Sequence, residues 1–588
     1  MSIVSTSNRW LNRLYKTVAI LLVLLAVVIS AFRLFLPYVH HYKLPLQNYL
    51  NETSQTNIAI GTLSMTWQRS GPILIIGDVQ VLETEKASVF IEQLEMQVDF
   101  WRTLTERSLI SKDLLLSGAR VNLSEKLWLG KEDTDTSGKV KKDNEADDIE
   151  VISDLFLNRI KRFSIRDSQI IVRNEAITRS IRLNQLRWLN TDDRHQAEGS
   201  VVLNGLSSNN LQVKLDLLGE EASDLTGKIY LQANQIDITP WLDDVLVLED
   251  DKTKTDINFS AWLHVNSSDI SRLKINFSDS SVQWQFENQK QKLTLEQGQL
   301  LLVKGKTEHS LRLYSTPLAL RLNEQQPQQF TVMLAKKAND FSLNLSEIDV
   351  AMLTQLAPLI IENQETRALL SKMTLTGKIE DLFIRNQNNS LQIATNFSAF
   401  NNSYSHGIPG LENVSGNLSY VDNYLSVDFT AEQGQLDFDE LFVQAFPYQT
   451  LSGQLNAVFD DKGWALRVEE LDFLSKEINL SAQVKVEAPI DGEVNLALLA
   501  NVSNGNAGLV GRYLPLPIMS ENLVDYLNAA VVSGRVEDAQ VLINGPISHF
   551  PFTDGSGIFV VDAELSKSEF KFVENWPAIT DFVANLNF

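Results

Sequence analysis

The stretch "LQVKLDLL" sets Leu211, Val213, Leu215 and Leu217 on one side of an extended chain and Gln212, Lys214 and Asp216 on the other. A period of two is the side-chain period of a β-strand, and here it keeps returning. "INLSAQVKV" repeats it with Ile478, Leu480, Ala482, Val484 and Val486, "FSLNL" with Phe341, Leu343 and Leu345, and "FTVML" with Phe330, Val332 and Leu334. Strands with one apolar and one polar face belong to antiparallel sheets covered on a single side, because parallel sheets buried on both sides read as nearly unbroken apolar runs. "DDKG", Asp460 to Gly463, separates "LNAVF" from "WALRV" at hairpin distance. The expected fold class is mainly β.

A short signature also recurs: an aliphatic residue, Ser or Thr, Gly, any residue, then an aliphatic. It stands at Leu225, Leu375, Val414, Leu451 and Val532, with a looser copy at Leu116. Glycine inside a strand often marks a bulge or bend, so its return predicts a sheet curved in the same sense each time; chance recurrence in a β-rich chain is the alternative. The irregular spacing excludes a strict solenoid repeat. Helical patterns are few and fall between strand blocks: "PLQNYLNETSQ", "DFWRTLTERSL", "SDLFLNRIKRF", residues 349–373 and residues 520–531. Each is expected to cap or plug the sheet. Residues 130–150 hold eight acidic residues and four lysines with little apolar surface, and read as a solvated loop or linker prone to early proteolysis.

One segment breaks the β pattern. "TVAILLVLLAVVISAFRLFL", residues 17–36, is close to the roughly 20 apolar residues a spanning helix needs. Val18, Leu22, Leu25, Ile29 and Phe32 are its expected lipid-facing anchor, and Arg33 lies near enough to one end to snorkel. Arg9, Arg13 and Lys16 precede it with no acidic residue among them, which leaves residues 1–16 in the cytoplasm and sends the rest across. A cleavable signal sequence is the rival, but its apolar region is shorter and ends in small residues.

Fifty-one basic against 74 acidic residues give a net charge of −23 without evident segregation, which opposes binding to nucleic acid. The chain has no cysteine, so disulfides and thiolate metal sites are excluded. The seven histidines are scattered, and no metalloprotease, nucleophile-elbow, Walker or dinucleotide motif is present. His549, followed by aromatics and Asp554, reads as a turn or packing residue, and the pair Asp243 and Asp244 as a solvated face. No enzyme activity and no cofactor are expected. The physical problem is where so many amphipathic strands hide their apolar faces: in a sealed sandwich core, or along a groove that holds something apolar. Pattern alone leaves both open.

Several stretches then carry a resemblance. "GTLSMTWQRSGPILIIGDVQVL" with "IEQLEMQVDFWRTLTERSLISKDLLLSGARVNL" resembles the N-terminal module of the AsmA-like proteins, and more closely their YhdP branch. "LTGKIYLQANQIDITPWL", "IPGLENVSGNLSY" and, most specifically, "GRYLPLPIMSENLVDYLNAAVVSGRVEDAQVLINGPISHFPF" agree. The resemblance implies an inner-membrane protein whose long curved β-sheet crosses the Gram-negative periplasm with an apolar interior and moves phospholipid towards the outer membrane, as in bridge-like lipid transfer proteins. It divides the chain into an N-terminal module at 37–129, the charged segment at 130–150 and an extended β-groove at 151–588. It also implies that members continue past this point, so the part meeting the outer membrane or its proteins is missing here. The groove-lining residues implied are Leu211, Val213, Leu215, Leu217, Val332, Leu343, Leu345, Ile478, Leu480, Val484 and Val486. With about 0.8 kcal/mol per buried methylene, a 16-carbon acyl chain crossing water costs on the order of 13 kcal/mol that such a groove removes. Roughly 30 strands at about 4.8 Å would give a sheet on the order of 150 Å long. The alternative function is a periplasmic scaffold for outer-membrane proteins, templating client strands on an exposed sheet edge.

Overall fold

A computed structural model describes residues 3–54, 58–68, 71–83, 87–106, 111–124, 157–158, 160–173, 178–203, 210–221, 223–239, 253–286, 289–305, 310–359, 361, 363, 374–405, 407–573 and 575–587. The charged segment 130–150 and Asp243 and Asp244 lie outside them. Among the described residues a helix, Ile3–Phe35, comes first, and 28 strands belonging to one sheet follow with a few short helices between them. The chain divides into two compact units, Met1–Asp237 with Asp256–Asn276, and Ile238–Thr255 with Phe277–Phe588.

In the first unit the strands Ala59–Gln68, Gly71–Glu83, Ala87–Val98 and Ser111–Ser124 pair antiparallel in chain order. The fourth then pairs in parallel with Arg162–Arg173, Leu114 opposite Phe163, after which antiparallel order resumes through Thr178–Thr191, Arg194–Leu203, Asn210–Leu218, Thr226–Ile236 and Lys254–Asn266. A parallel neighbour requires a long crossover, and the sequence between residues 124 and 162 supplies one. The expected helix "SDLFLNRIKRF" is corrected at its end, where Arg162 and Phe163 open a strand.

In the second unit the ladder from Gln289–Lys304 to Ile579–Asn587 is antiparallel throughout. Its connections alternate. One edge carries tight turns, such as Asn388-Asn389 and Asp422-Asn423, whose φ values of 53° and 64° and of 46° and 71° suit a type I′ hairpin; short Asn and Asp side chains tolerate that left-handed region. The other edge carries the longer connections, including the helices Val350–Leu356 and Glu521–Ala530 and the 3-10 segments Asp439–Leu441 and Ala507–Tyr513. Asp349 caps the first of these, its carboxylate accepting from the Ala351 N–H. "DDKG" makes the expected hairpin, Asp460 opposite Gly463. "FTVML" does not form one strand: Phe330 pairs with Leu318 and Val332 with Leu345, because Thr331 leaves one partner for the next.

Most strands of this unit bend by a bulge near the edge with long connections. Asp381, Ala399, Asn413, Gln433, Glu470, Asn504, Lys567 and Asp581 all hold φ between 47° and 56° there, and a bulge of this kind adds right-handed twist. The repeated glycines lie at these bends: register shifts fall at Gly377, Gly453 and Gly534, opposite the bulged residues Ala399, Glu470 and Lys567. Gly416 shows a close approach of the same strands: a Cβ on it would lie 2.0 Å from the Asp428 carbonyl oxygen and 3.0 Å from the Phe397 ring. Neighbouring strands approach too closely for any side chain. Gly416→Ala is therefore expected to destabilise the second unit by about 1–3 kcal/mol, read as faster hydrogen exchange across Gly410–Val421 and its two partner strands. Exchange equal to wild type would show that the backbone yields freely.

Candidate functional site

Residues directly opposite in neighbouring strands share a face of the sheet, so the pairing registers spell out what each face carries. In the second unit one row runs Leu302, Leu313, Leu334, Leu343, Ile384, Ile393, Tyr420, Leu425, Ala457, Leu466, Val486 and Leu496. Next to it Leu418, Val427, Leu455, Val468, Val484, Leu498, Ile543 and Phe559 form another. The residues between these on the same strands build the opposite face, where Ser426, Asn456, Arg467 and Lys485 stand in one row and Asp428, Gln454 and Glu469 in the next. The first unit repeats the arrangement: Leu63, Ile76, Leu94, Leu116, Ile165, Leu186, Gly199, Val213, Leu231 and Ala261 are successive partners.

Of the predicted residues, Val213, Leu343, Val484 and Val486 stand in these rows. Leu343 and Val486, 143 positions apart in the chain, lie in the same row; Val332 and Leu345 pair with each other, and Leu480 pairs with Phe473 and Val502. Leu211, Val213, Leu215 and Leu217 face Ala233, Leu231, Ile229 and Gly227. Their burial differs. Leu211, Leu217 and Ile478 are buried, whereas Val213, Leu215, Val332, Leu343, Leu345, Leu480, Val484 and Val486 are half-buried. Ile478 stands outside the strand, in a turn whose carbonyl accepts from the Ser475 N–H at 3.0 Å.

In three places a non-strand segment covers a buried part of the face. Val39, Leu46 and Leu50 pack onto the cluster around Ile60, Leu63 and Leu116. Met352 and Leu359 close over Trp284 and Leu322. In the third place Tyr513, in the 3-10 segment Ala507–Tyr513, stacks on Phe446 with centroids 5.3 Å apart and joins the cluster of Val414, Leu451 and Phe473. Its hydroxyl donates to Glu477 at 3.1 Å, and Arg512 pairs with the same carboxylate at 2.5 Å. Burial and the nearby Glu477 charge push the Tyr513 phenol well above its ordinary range. Tyr448 beneath it donates to the Glu412 carbonyl and is pushed up to about 12, chiefly by burial. Both phenols therefore stay protonated as donors at neutral pH.

At the N-terminus, Ile3–Phe35 is long and apolar enough to cross a membrane. Val18 and Leu22 are more than half or nearly half exposed, Phe32 is exposed, and Leu25 and Ile29 are intermediate. An exposed apolar surface of this length marks a contact with a membrane or another apolar surface.

A family profile described as "YhdP protein" matches residues 1–588. The chain belongs to the YhdP family. The "Intermembrane phospholipid transporter YhdP" of Escherichia coli (strain K12) is 25% identical over 604 residues, covering 98% of this chain and 46% of that protein. The chain thus spans less than half the length of this curated relative. No solved structure matches.

For a YhdP-family chain the titratable residues are sparse in chemistry. Among the described residues no group of three or more His, Asp or Glu is placed to hold a metal. His195 is buried against the Asn190 side-chain oxygen at 2.8 Å and the Gly219 carbonyl at 2.7 Å, joining strand to turn. His549 sits in the turn after Val531–Pro546, 2.6 Å from Asp554 and 3.3 Å from Glu493. The Asp554 contact, then the Glu493 charge, raises its pKa. A raised imidazole pKa stabilises this turn below the unfolded value of about 6.5, and the contribution fades as pH rises through the folded value. An NMR titration of His549 is expected to show a midpoint above that of a free imidazole, falling in Asp554→Asn; an unchanged midpoint would remove the contact. What sequence reasoning missed is the cover made by Tyr513, Arg512 and Glu477, whose partners are more than thirty positions apart.

Proposed function

We propose that this chain is the membrane-anchored part of a phospholipid conduit, in which acyl chains travel along the apolar face of the sheet between the inner and outer membranes. The observation that carries the reading is the unbroken cross-strand row from Leu302 to Leu496, half-buried over much of its course, with a reverse side that is mixed from Leu301 to Ala394 and polar from Ser426 to Lys485. An apolar row left partly open to solvent on strand after strand suits a mobile apolar occupant better than a finished core. Each acyl methylene laid on it recovers about 0.8 kcal/mol, and one row resembles the next, so a lipid can move without a deep trap. Membership of the YhdP family and the printed name of the E. coli relative support phospholipid as the cargo.

Anchorage follows from Ile3–Phe35 spanning the inner membrane, with Arg13 and Lys16 on the cytoplasmic side and the sheet in the periplasm. Mass spectrometry of lipids retained by the purified protein tests the reading. Phospholipid is expected at more than one molecule per chain, since the face is continuous. Protein free of lipid that instead retains unfolded outer-membrane proteins would favour the scaffold alternative.

A further inference from the structure

The first unit carries a surface that the conduit reading does not use. The last residues of the apolar helix touch the end of the first strand, Ala59–Gln68: the Phe32 ring meets Trp67 edge-on at 5.9 Å, and the Arg33 guanidinium lies 5.8 Å from the same ring. From there the chain turns back along that strand. The Lys43 ammonium donates to the Gly61 carbonyl at 2.8 Å, the Ile60 N–H to the Gln47 side chain at 3.1 Å, and the Ile58 N–H to the Asn51 side chain at 2.8 Å. Numbers rise on the helix Lys43–Ser54 as they fall on the strand, so the strand is held with Gln68 near the apolar helix and Ala59 far from it.

Pairing passes that orientation to the neighbours. Gln68 faces Gly71, Ile73 faces Gln97, Val98 faces Ser111, and Leu114 lies beside Phe163 in parallel. On this side of the sheet the chain places the short helix Phe100–Glu106, which exposes Trp101 to 54% and leaves Arg102 exposed. Lys112 follows on the next strand, with Lys161 and Arg162 beside it, all exposed. Asp99 and Asp113 lie among them, each with a carboxylate oxygen engaged by the backbone, the first by the Arg102 N–H and the second by the Leu114 N–H, both at 3.1 Å, and the exposed Asp192 and Asp193 close the next hairpin at this end.

We propose that this end of the sheet is a membrane-docking collar, with Trp101 seated at the headgroup boundary of the leaflet next to the anchor and Arg33, Arg102, Lys112, Lys161 and Arg162 holding lipid phosphates. It rests on the reading of Ile3–Phe35 as a membrane anchor. Indole rings settle at the boundary between headgroups and acyl chains, and clustered basic side chains are drawn to anionic lipid. Five strands at about 4.8 Å place Lys161 and Arg162 roughly 19 Å from the first strand, so one flat leaflet that meets the anchor at Arg33 passes under the whole cluster. Trp67, two residues beyond Met65 on the apolar face, stands at this end, so docking would set the start of that face against lipid.

The chain has no cysteine, so single nitroxide labels are clean. The full chain in vesicles of phosphatidylethanolamine with phosphatidylglycerol is labelled in turn through Trp101→Cys, Leu25→Cys and Gln212→Cys, and collisions with oxygen and with a water-soluble nickel chelate are compared. The expected oxygen-to-nickel ratio is highest at 25, lowest at 212 and raised severalfold over 212 at 101. Combining Arg102→Glu, Lys112→Glu and Lys161→Glu is expected to return the label at 101 to the ratio at 212. A label at 101 as aqueous as that at 212, with 25 in the bilayer core, overturns the collar and leaves the anchor standing; an aqueous label at 25 overturns the anchor itself. Charge reversal without effect at 101 overturns the phosphate contacts.

Discussion

Replacing Val484 or Leu345 by aspartate is expected to leave the protein folded and abundant while stopping lipid beyond the substituted strand. Both residues lie on the apolar face and are half-buried, Val484 between Val468 and Leu498 and Leu345 between Val332 and Leu382. A carboxylate in a dry site costs several kcal/mol, but at a half-open site water can reach it when no acyl chain is present. The cost then falls on the passing lipid. Since each 1.4 kcal/mol is a factor of about ten in rate, phospholipid crosslinking to a photoreactive residue on the far side should drop about tenfold or more. Probes at Leu302 and Leu496 share one row of the same face and stand on strands that bracket both substituted strands. Loss of both variants from the membrane through unfolding would place these residues in a sealed core, and unchanged crosslinking at both probes would place them away from any path.

The opposite behaviour is expected at Leu322. This residue and Met352 are fully buried, in one cluster with Trp284 and Leu359. Leu322→Ala removes packing between the sheet and the helix Val350–Leu356, and truncations of this kind in tight cores cost about 2–5 kcal/mol. Hydrogen exchange in Leu318–Leu322 and in Val350–Leu356 should quicken together. An effect under about 1 kcal/mol would mean that the site collapses around the lost side chain. Set beside Val484→Asp, the result separates places where the apolar face is a core from places where it is open.

Sequence alone made the alternation legible because a strand's side chains alternate whatever its neighbours do. "LQVKLDLL" and "INLSAQVKV" therefore revealed their faces without help from the fold. The rows were not legible, since Leu343 meets Val486 only through every intervening register, and a slip of one residue in any hairpin would turn a strand over. Bulges were half legible: the repeated glycines Gly377, Gly453 and Gly534 mark their places, but the residues that bulge, Ala399, Glu470 and Lys567, stand on partner strands that only the pairing reveals. The parallel pairing of Ser111–Ser124 with Arg162–Arg173 joins strands separated by a charged segment that carries no pairing signal. Nor could the chain order place Tyr513 over Phe446, because that contact depends on where the sheet edge brings its connections.

The most direct measurement of the central claim uses the alternation itself. A photoreactive amino acid is placed in turn at Leu343, Val484 and Val486 on the apolar face and at Asn344, Gln483 and Lys485, their neighbours on the reverse. After irradiation in cells, the first three are expected to carry phospholipid and the second three to carry little or none. Equal lipid labelling on the two faces, or lipid on the polar face alone, would contradict a path along the apolar rows.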